Sequence, residues 1–122
     1  MTPTQKGFDM DSYDDFMTTA EVAKLYASDC ESMGGVVATV EDSGPILDEY
    51  YQHTPRYNFR GGVTGHFWTK VNEVAEILKG SDTWPFEPIE VSSDRKVLYD
   101  GHHRSNGAIL AGWDKPIPIE VW

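Results

Sequence analysis

Hydrophobic positions fall at helical spacing in three stretches of the chain and at strand spacing in four. Thr18 followed by Glu21 forms a capping-box pattern, and Val22, Leu25, Tyr26 and Met33 share one face until Gly34 and Gly35 stop it. This predicts a helix over about 19–33. Val36 to Val40 is a β-branched run that predicts a short strand, closed by the turn-forming Asp42, Ser43, Gly44 and Pro45. Phe67, Val71, Val74, Ala75 and Leu78 predict a second helix ending at Gly80, with Asn72, Glu73, Glu76 and Lys79 on its other sides.

After Pro85 and Pro88, Ile89 to Val91 and Val97 to Tyr99 flank the turn-like Ser92 to Arg95 and read as a hairpin. Asp100 and Gly101 interrupt the second strand. His103 to Ala111 then reads as a short helix stopped by Gly112, and Ile117 to Trp122 as a closing strand. Residues 1–17 carry Asp9, Asp11, Asp14 and Asp15 with few large apolar groups and read as a flexible or loosely docked acidic arm. Thr54 to Gly65 holds Pro55, Asn58 and three glycines, and with Arg56, Arg60 and nearby His66 it reads as a cationic loop. Residues 18–122 are expected to form one α+β domain, a small mixed sheet flanked by helices.

The 122 residues are too few for two compact domains, and 39% apolar against 25% charged residues is globular rather than disordered composition. The formal charge of -10 is unevenly spread: residues 1–54 carry -9 and residues 55–122 carry -1. Tight DNA binding is therefore disfavoured, since a duplex binder neutralises several phosphates with Lys and Arg. The acidic half suits a basic protein partner instead. A lone Cys30 rules out an intrachain disulfide and an all-cysteine metal site, which fits a reducing, cytoplasmic setting. No apolar run is long enough to span a membrane, so no membrane partner is expected.

Candidate chemistry gathers at Asp100, Gly101, His102, His103, Arg104, Ser105 and Asn106, where a strand turns into a helix. Gly101 permits a tight turn, the first helical amides point outward unpaired, and the helix dipole favours an anion there. Arg104 can add a forked contact, and His102, His103, Ser105 and Asn106 supply further donors. The set resembles a phosphate cradle. Asp100, Glu73 and Glu76 are candidates to hold Mg²⁺ or act as a base, with Asp100, His102 and Glu73 the catalytic candidates. A transition-metal site is disfavoured, because adjacent histidines point apart and no further Cys or His completes it. Each residue also has a plain structural reading: packed or solvated histidines, Arg104 paired with Asp100 or Glu120, a solvated face for Glu73 and Glu76, and core packing for the tryptophans. Trp84, before Pro85, is the best candidate among these for a base-stacking platform.

Pro88 to Val91, Val97 to Arg104, Ala108, Gly112, Trp113 and Ile117 to Val121 together resemble the ParB/sulfiredoxin superfamily, over about residues 70–122. The resemblance implies a small α+β fold whose turn binds nucleotide phosphates: ATP in sulfiredoxins, CTP in ParB proteins, ATP or ADP in related free-serine kinases. Some relatives are described as nucleases. Gly101, His102, His103 and Arg104 match the phosphate-binding turn, with Arg104 as clamp. Sulfiredoxins carry their reactive cysteine where this chain has His102, so sulfinic acid reduction is not expected, and with Trp122 at the point where ParB proteins continue into a helix-turn-helix, sequence-specific DNA clamping is not expected either. The leading expectation is nucleoside triphosphate binding at Gly101 to Asn106, with Mg²⁺-dependent phosphoryl transfer or hydrolysis. Two alternatives are a nuclease with a divalent metal at Asp100, His102 and an upstream acid, and a non-enzymatic acidic interaction or DNA-mimic protein of phage or mobile-element style.

Overall fold

Short strands build a sheet whose buried Ile89, Val91, Leu98, Ile117 and Ile119 meet the helices. The computed structural model describes residues 15–52 and 67–122. The acidic arm's Asp9, Asp11 and Asp14, and the loop bearing Arg56, Arg60 and His66, lie outside the described residues. The elements run β1 (Phe16–Met17), α1 (Thr19–Ala23), β2 (Tyr26–Ala27), α2 (Ser28–Gly34), α3 (Val40–Gln52), α4 (Phe67–Lys79), β3 (Ile89–Val91), β4 (Val97–Asp100), α5 (His102–Ala111) and β5 (Ile117–Val121). The strands form one mixed sheet in the order β1-β5-β3-β4-β2. β1/β5 and β3/β4 are antiparallel, while β3/β5 and β2/β4 are parallel. The fold is α+β, a small mixed sheet with helices. No helix among the described residues is long and apolar enough to cross a membrane.

One core joins Ile89, Val91, Leu98, Ile117 and Ile119 of the sheet to Val22, Leu47, Phe67, Val71, Leu78 and Ala108 of the helices. α4 and α5 pack closely because Gly107 lets the Val74 side chain sit where a Cβ would otherwise stand. The indole of Trp84 lies inside this core, so the residue does not offer a base-stacking surface.

Three expectations change in the N-terminal half. The helix over 19–33 is two helices separated by β2. The capping box forms, with Thr18 accepting from the Glu21 amide and Glu21 from the Thr18 amide, but Lys24 ends α1. Tyr26 and Ala27 extend instead, because β4 supplies a parallel partner and ladder bonds outweigh a weak helical preference. The expected strand from Val36 to Val40 makes only an isolated bridge, Tyr26 to Thr39. Val40 already belongs to α3, which runs through the expected turn at Asp42 to Pro45. Gly44 is there for proximity rather than turning, since a Cβ on it would strike the Trp68 indole. The last residues of the expected arm, Phe16 and Met17, pair with β5, and Asp15 is tied to Arg95 at 2.6 Å.

Candidate functional site

β4 reaches the turn through a register irregularity. Val91 pairs with Leu98, but its neighbour Glu90 pairs with Asp100, so Tyr99 is passed over and the strand is locally rotated. Leu98 therefore points into the core while Tyr99 and Asp100 are both exposed. Gly101 then takes a positive φ of 104° and opens α5 with no side-chain cap on its first turn. A Cβ at Gly101 would stand 2.7 Å from Ile89 Cγ2, so the close approach of turn to strand needs glycine. The uncapped first-turn amides carry the partial positive charge of a ten-residue helix.

Arg104 folds back across this turn. Its Nη1 donates to the Glu87 and Pro88 carbonyls at 2.8 and 3.2 Å, and its Nη2 lies 3.3 Å from Asp100 Oδ2. These bonds account for three of its five donors, and the guanidinium pins the approach to β3 against α5. His102 is buried against the start of α2. Its Nε2 accepts from the Asp29 amide and its Nδ1 stands 3.3 Å from Asp29 Oδ2, which fixes the Nδ1–H tautomer. Both ring nitrogens are thus engaged by one residue, and His102 acts as a clasp between α2 and α5. His103 points elsewhere, its ring 4.7 Å from Phe67 and 5.8 Å from Tyr51. Its Nε2 and the Ser105 hydroxyl are buried without a hydrogen-bond partner among the described residues. Asn106 donates to Ser43 Oγ and to the His102 carbonyl, so Ser105 and Asn106 serve the core rather than the mouth of the turn.

Burial holds both imidazoles neutral, with pKa lowered to about 4 each. A histidine whose folded pKa lies below its ordinary 6.5 binds fewer protons folded than unfolded. Its contribution to stability is complete above pH 6.5 and is lost as pH falls towards 4. Between pH 7 and 5.5 we expect urea-derived stability to fall, with each imidazole adding a slope that approaches about 1.4 kcal/mol per pH unit. Asp29 and Glu90, whose pKa values are raised, act in the opposite sense, each favouring the folded state more as pH falls through its raised pKa. A His102→Gln/His103→Gln protein should show a flatter slope; an unchanged slope would refute the buried, neutral assignment.

The acids around the turn come from three elements. The β2/β4 pair ends at Ala27, and the first turn of α2 then brings Asp29 within range of the Asp100 charge, with Ser28 donating to the Tyr99 carbonyl at 3.4 Å. Burial, then the Asp100 charge, raise the Asp29 pKa. Glu90 is raised by desolvation, then by Asp100 and Glu120, with Arg104 opposing. Asp29 and Glu90 are missing from the candidates drawn from sequence, because only strand pairing brings them to the turn. Glu73 is exposed on α4, away from the buried Phe67, Val71, Ala75 and Leu78, and Glu76 pairs with Lys79. Among the described residues no group of three His, Cys, Asp or Glu side chains could hold a metal ion, so a protein-only metal centre at Asp100 and His102 is not assembled.

A family model described as the Mycobacterium phage L5 gene 81 protein matches residues 7–122. The chain belongs to this phage gene 81 family. It is also 70% identical over 107 residues to the gene 81 protein of Mycobacterium phage L5, covering 88% of this chain and 96% of that relative. No solved structure matches it. The resemblance to the ParB/sulfiredoxin superfamily is corrected by these findings, since the family found spans nearly the whole chain and is a different one. The likeness has a local physical origin. A strand that must pass through a positive-φ glycine into a helix, and a Gly stop before a β-branched closing strand, call for the same residue types wherever they occur.

Proposed function

We propose that the phage gene 81 family domain binds a phosphate-bearing nucleotide at the β4–α5 turn, together with a divalent cation. The observation that carries this reading is the start of α5. Gly101 opens α5 with first-turn amides that no side chain caps, beside Arg104, whose guanidinium keeps two donors beyond those it gives to Glu87, Pro88 and Asp100.

The acids decide the form of the ligand. Asp100 and Glu90 flank the turn and repel a bare polyphosphate, so an anion approaches there best with its charge neutralised. Mg²⁺ is usually held by one or two carboxylates plus substrate phosphates rather than by an all-protein cage, which agrees with acids that do not form a metal site by themselves. Asp100 and Glu90 would hold the cation, and the α5 amides with Arg104 would hold the phosphates. His102 would keep the turn in place through Asp29.

Thermal shift with ATP, CTP, GTP and their diphosphates, each with and without Mg²⁺, tests the reading. At about 100 times its dissociation constant a ligand adds roughly 2.7 kcal/mol, a rise of several degrees. The expected result is a nucleotide-selective rise that needs Mg²⁺, is weakened in Asp100→Asn and is lost in Arg104→Lys, which keeps charge but not the fork. Absence of any rise for all nucleotides would overturn the proposal.

A further inference from the structure

The sheet buries one face and leaves Tyr26, Tyr99, Asp100 and Glu120 exposed away from it. Pairing fixes which side chains share the open side. Tyr26 lies opposite Val97 in the β2/β4 pair and opposite Thr39 across its bridge, Val37 lines the same groove as Tyr26 and Val97, and Tyr99 is exposed on β4 beyond Val97. Tyr26, Ala27, Val37, Ala38 and Val97 line a groove of about 260 Å³ with Glu31 at its rim. Two of its apolar side chains are in water, Tyr26 at 49% and Val37 at 67% exposure, and neighbouring Tyr99 is 49% exposed. Beyond Tyr99 the same face changes character. Asp100 pairs with Glu90 and Glu90 with Glu120, which sets three carboxylates side by side on consecutive strands about 4.8 Å apart. Like charges directly opposite one another weaken a sheet, so folding alone does not favour this row.

We propose that this open face, from the Tyr26–Val37 groove to Glu120, is a docking surface for a cationic, apolar-bearing segment of a partner protein. Charge and symmetry select that occupant. Apolar side chains of the segment would enter the groove, and its Lys or Arg side chains would meet Glu120 and, where no metal cation is bound, Glu90 and Asp100. Arg104, the cation beside the row, is already tied to two carbonyls and Asp100. Nucleic acid carries the wrong sign for the row. A second copy fits no better, because a twofold axis through this face would set the acids against themselves. The acids involved come from the half of the sequence whose net charge is only -1, so the fold, and not the sequence total, creates the patch.

The test is an NMR titration of the full chain with a synthetic peptide of alternating leucine and lysine. Controls are the same peptide with glutamate for lysine and a lysine homopolymer of equal length. The expected result is saturable binding by the leucine–lysine peptide alone, with shifts at the amides of Tyr26, Val37, Tyr99 and Glu120. Affinity should fall about fivefold in Glu120→Lys and in Val37→Asn, the order of magnitude of one surface contact. Both substitutions are at exposed positions, and a melting temperature no lower than the parent's shows that they leave the fold intact. Equal binding by either control, shifts confined to the helices, or undiminished affinity in both variants would each overturn the proposal. Neither position lies at the nucleotide turn, so the two readings fail separately.

Discussion

Trp84→Ala is expected to lose about 3–5 kcal/mol of stability, the range for deleting a buried aromatic side chain. Set against a total of roughly 5–15 kcal/mol for a domain, that removes a large share and lowers the melting temperature by at least about 10 °C. The indole is 1% exposed. It meets Phe86 and Trp113 edge-on, with ring centroids 5.5 and 5.9 Å away, and donates its N–H to the Glu87 carbonyl at 3.0 Å. That carbonyl also receives Arg104, so the indole helps fix the carbonyl that anchors the arginine at the turn. Trp84→Phe keeps most of the ring contacts and loses one net hydrogen bond worth about 1 kcal/mol plus some volume, so it should fall well short of the alanine loss. Thermal and urea unfolding followed by circular dichroism reads both. A loss under about 1 kcal/mol for Trp84→Ala would contradict the core placement.

The C-terminal half was legible because its signals are local. The Phe67-to-Leu78 spacing, the Gly80 and Gly112 stops, and the alternation at Ile89, Val91, Ile117 and Ile119 each specify an element without reference to the rest of the chain, and those elements form as expected. The N-terminal half depends on partners. Tyr26 and Ala27 leave the helical pattern because β4 is there to pair with, and Gly44 sits within a helix where the Trp68 indole needs the space a side chain would fill. No window of sequence contains those partners.

The candidate site divides in the same way. Gly101 and Arg104 could be found from spacing, since a strand-to-helix turn advertises its glycine and its cation. Asp29 and Glu90 could not, because a parallel and an antiparallel pairing carry them to the turn from distant segments. Nor could spacing show that His102 is clasped by Asp29, or that Ser105 and Asn106 face the core. The family likeness read from the same motifs failed for a related reason: it matched what a local turn demands, and local demands are shared by unrelated chains.

Gly101→Val should cost about 3 kcal/mol or more, from two additive sources. A β-branched residue at φ 104° sits outside the regions open to L side chains, where even the left-handed helical well costs roughly 1–2 kcal/mol. Its Cβ would also press on Ile89 Cγ2 at 2.7 Å and Ile89 Cβ at 3.1 Å, and overpacking of a filled core costs about 1–3 kcal/mol. Ile89 is fully buried on a central strand, so it has little room to yield. Gly101→Ala isolates the two sources. In an Ile89→Ala background the clash disappears while the backbone strain stays, so the alanine substitution should cost measurably less there than in the parent. Additivity of the two single losses would instead show that the strain alone sets the cost. The added Cβ stands 3.5 Å from Arg104 Nη2, an ordinary contact, so the guanidinium need not move and any effect on the turn comes through Ile89. A folded Gly101→Ala protein should therefore show a smaller nucleotide-induced rise in melting temperature, restored in part by Ile89→Ala, and an undiminished rise would separate the glycine from the binding site.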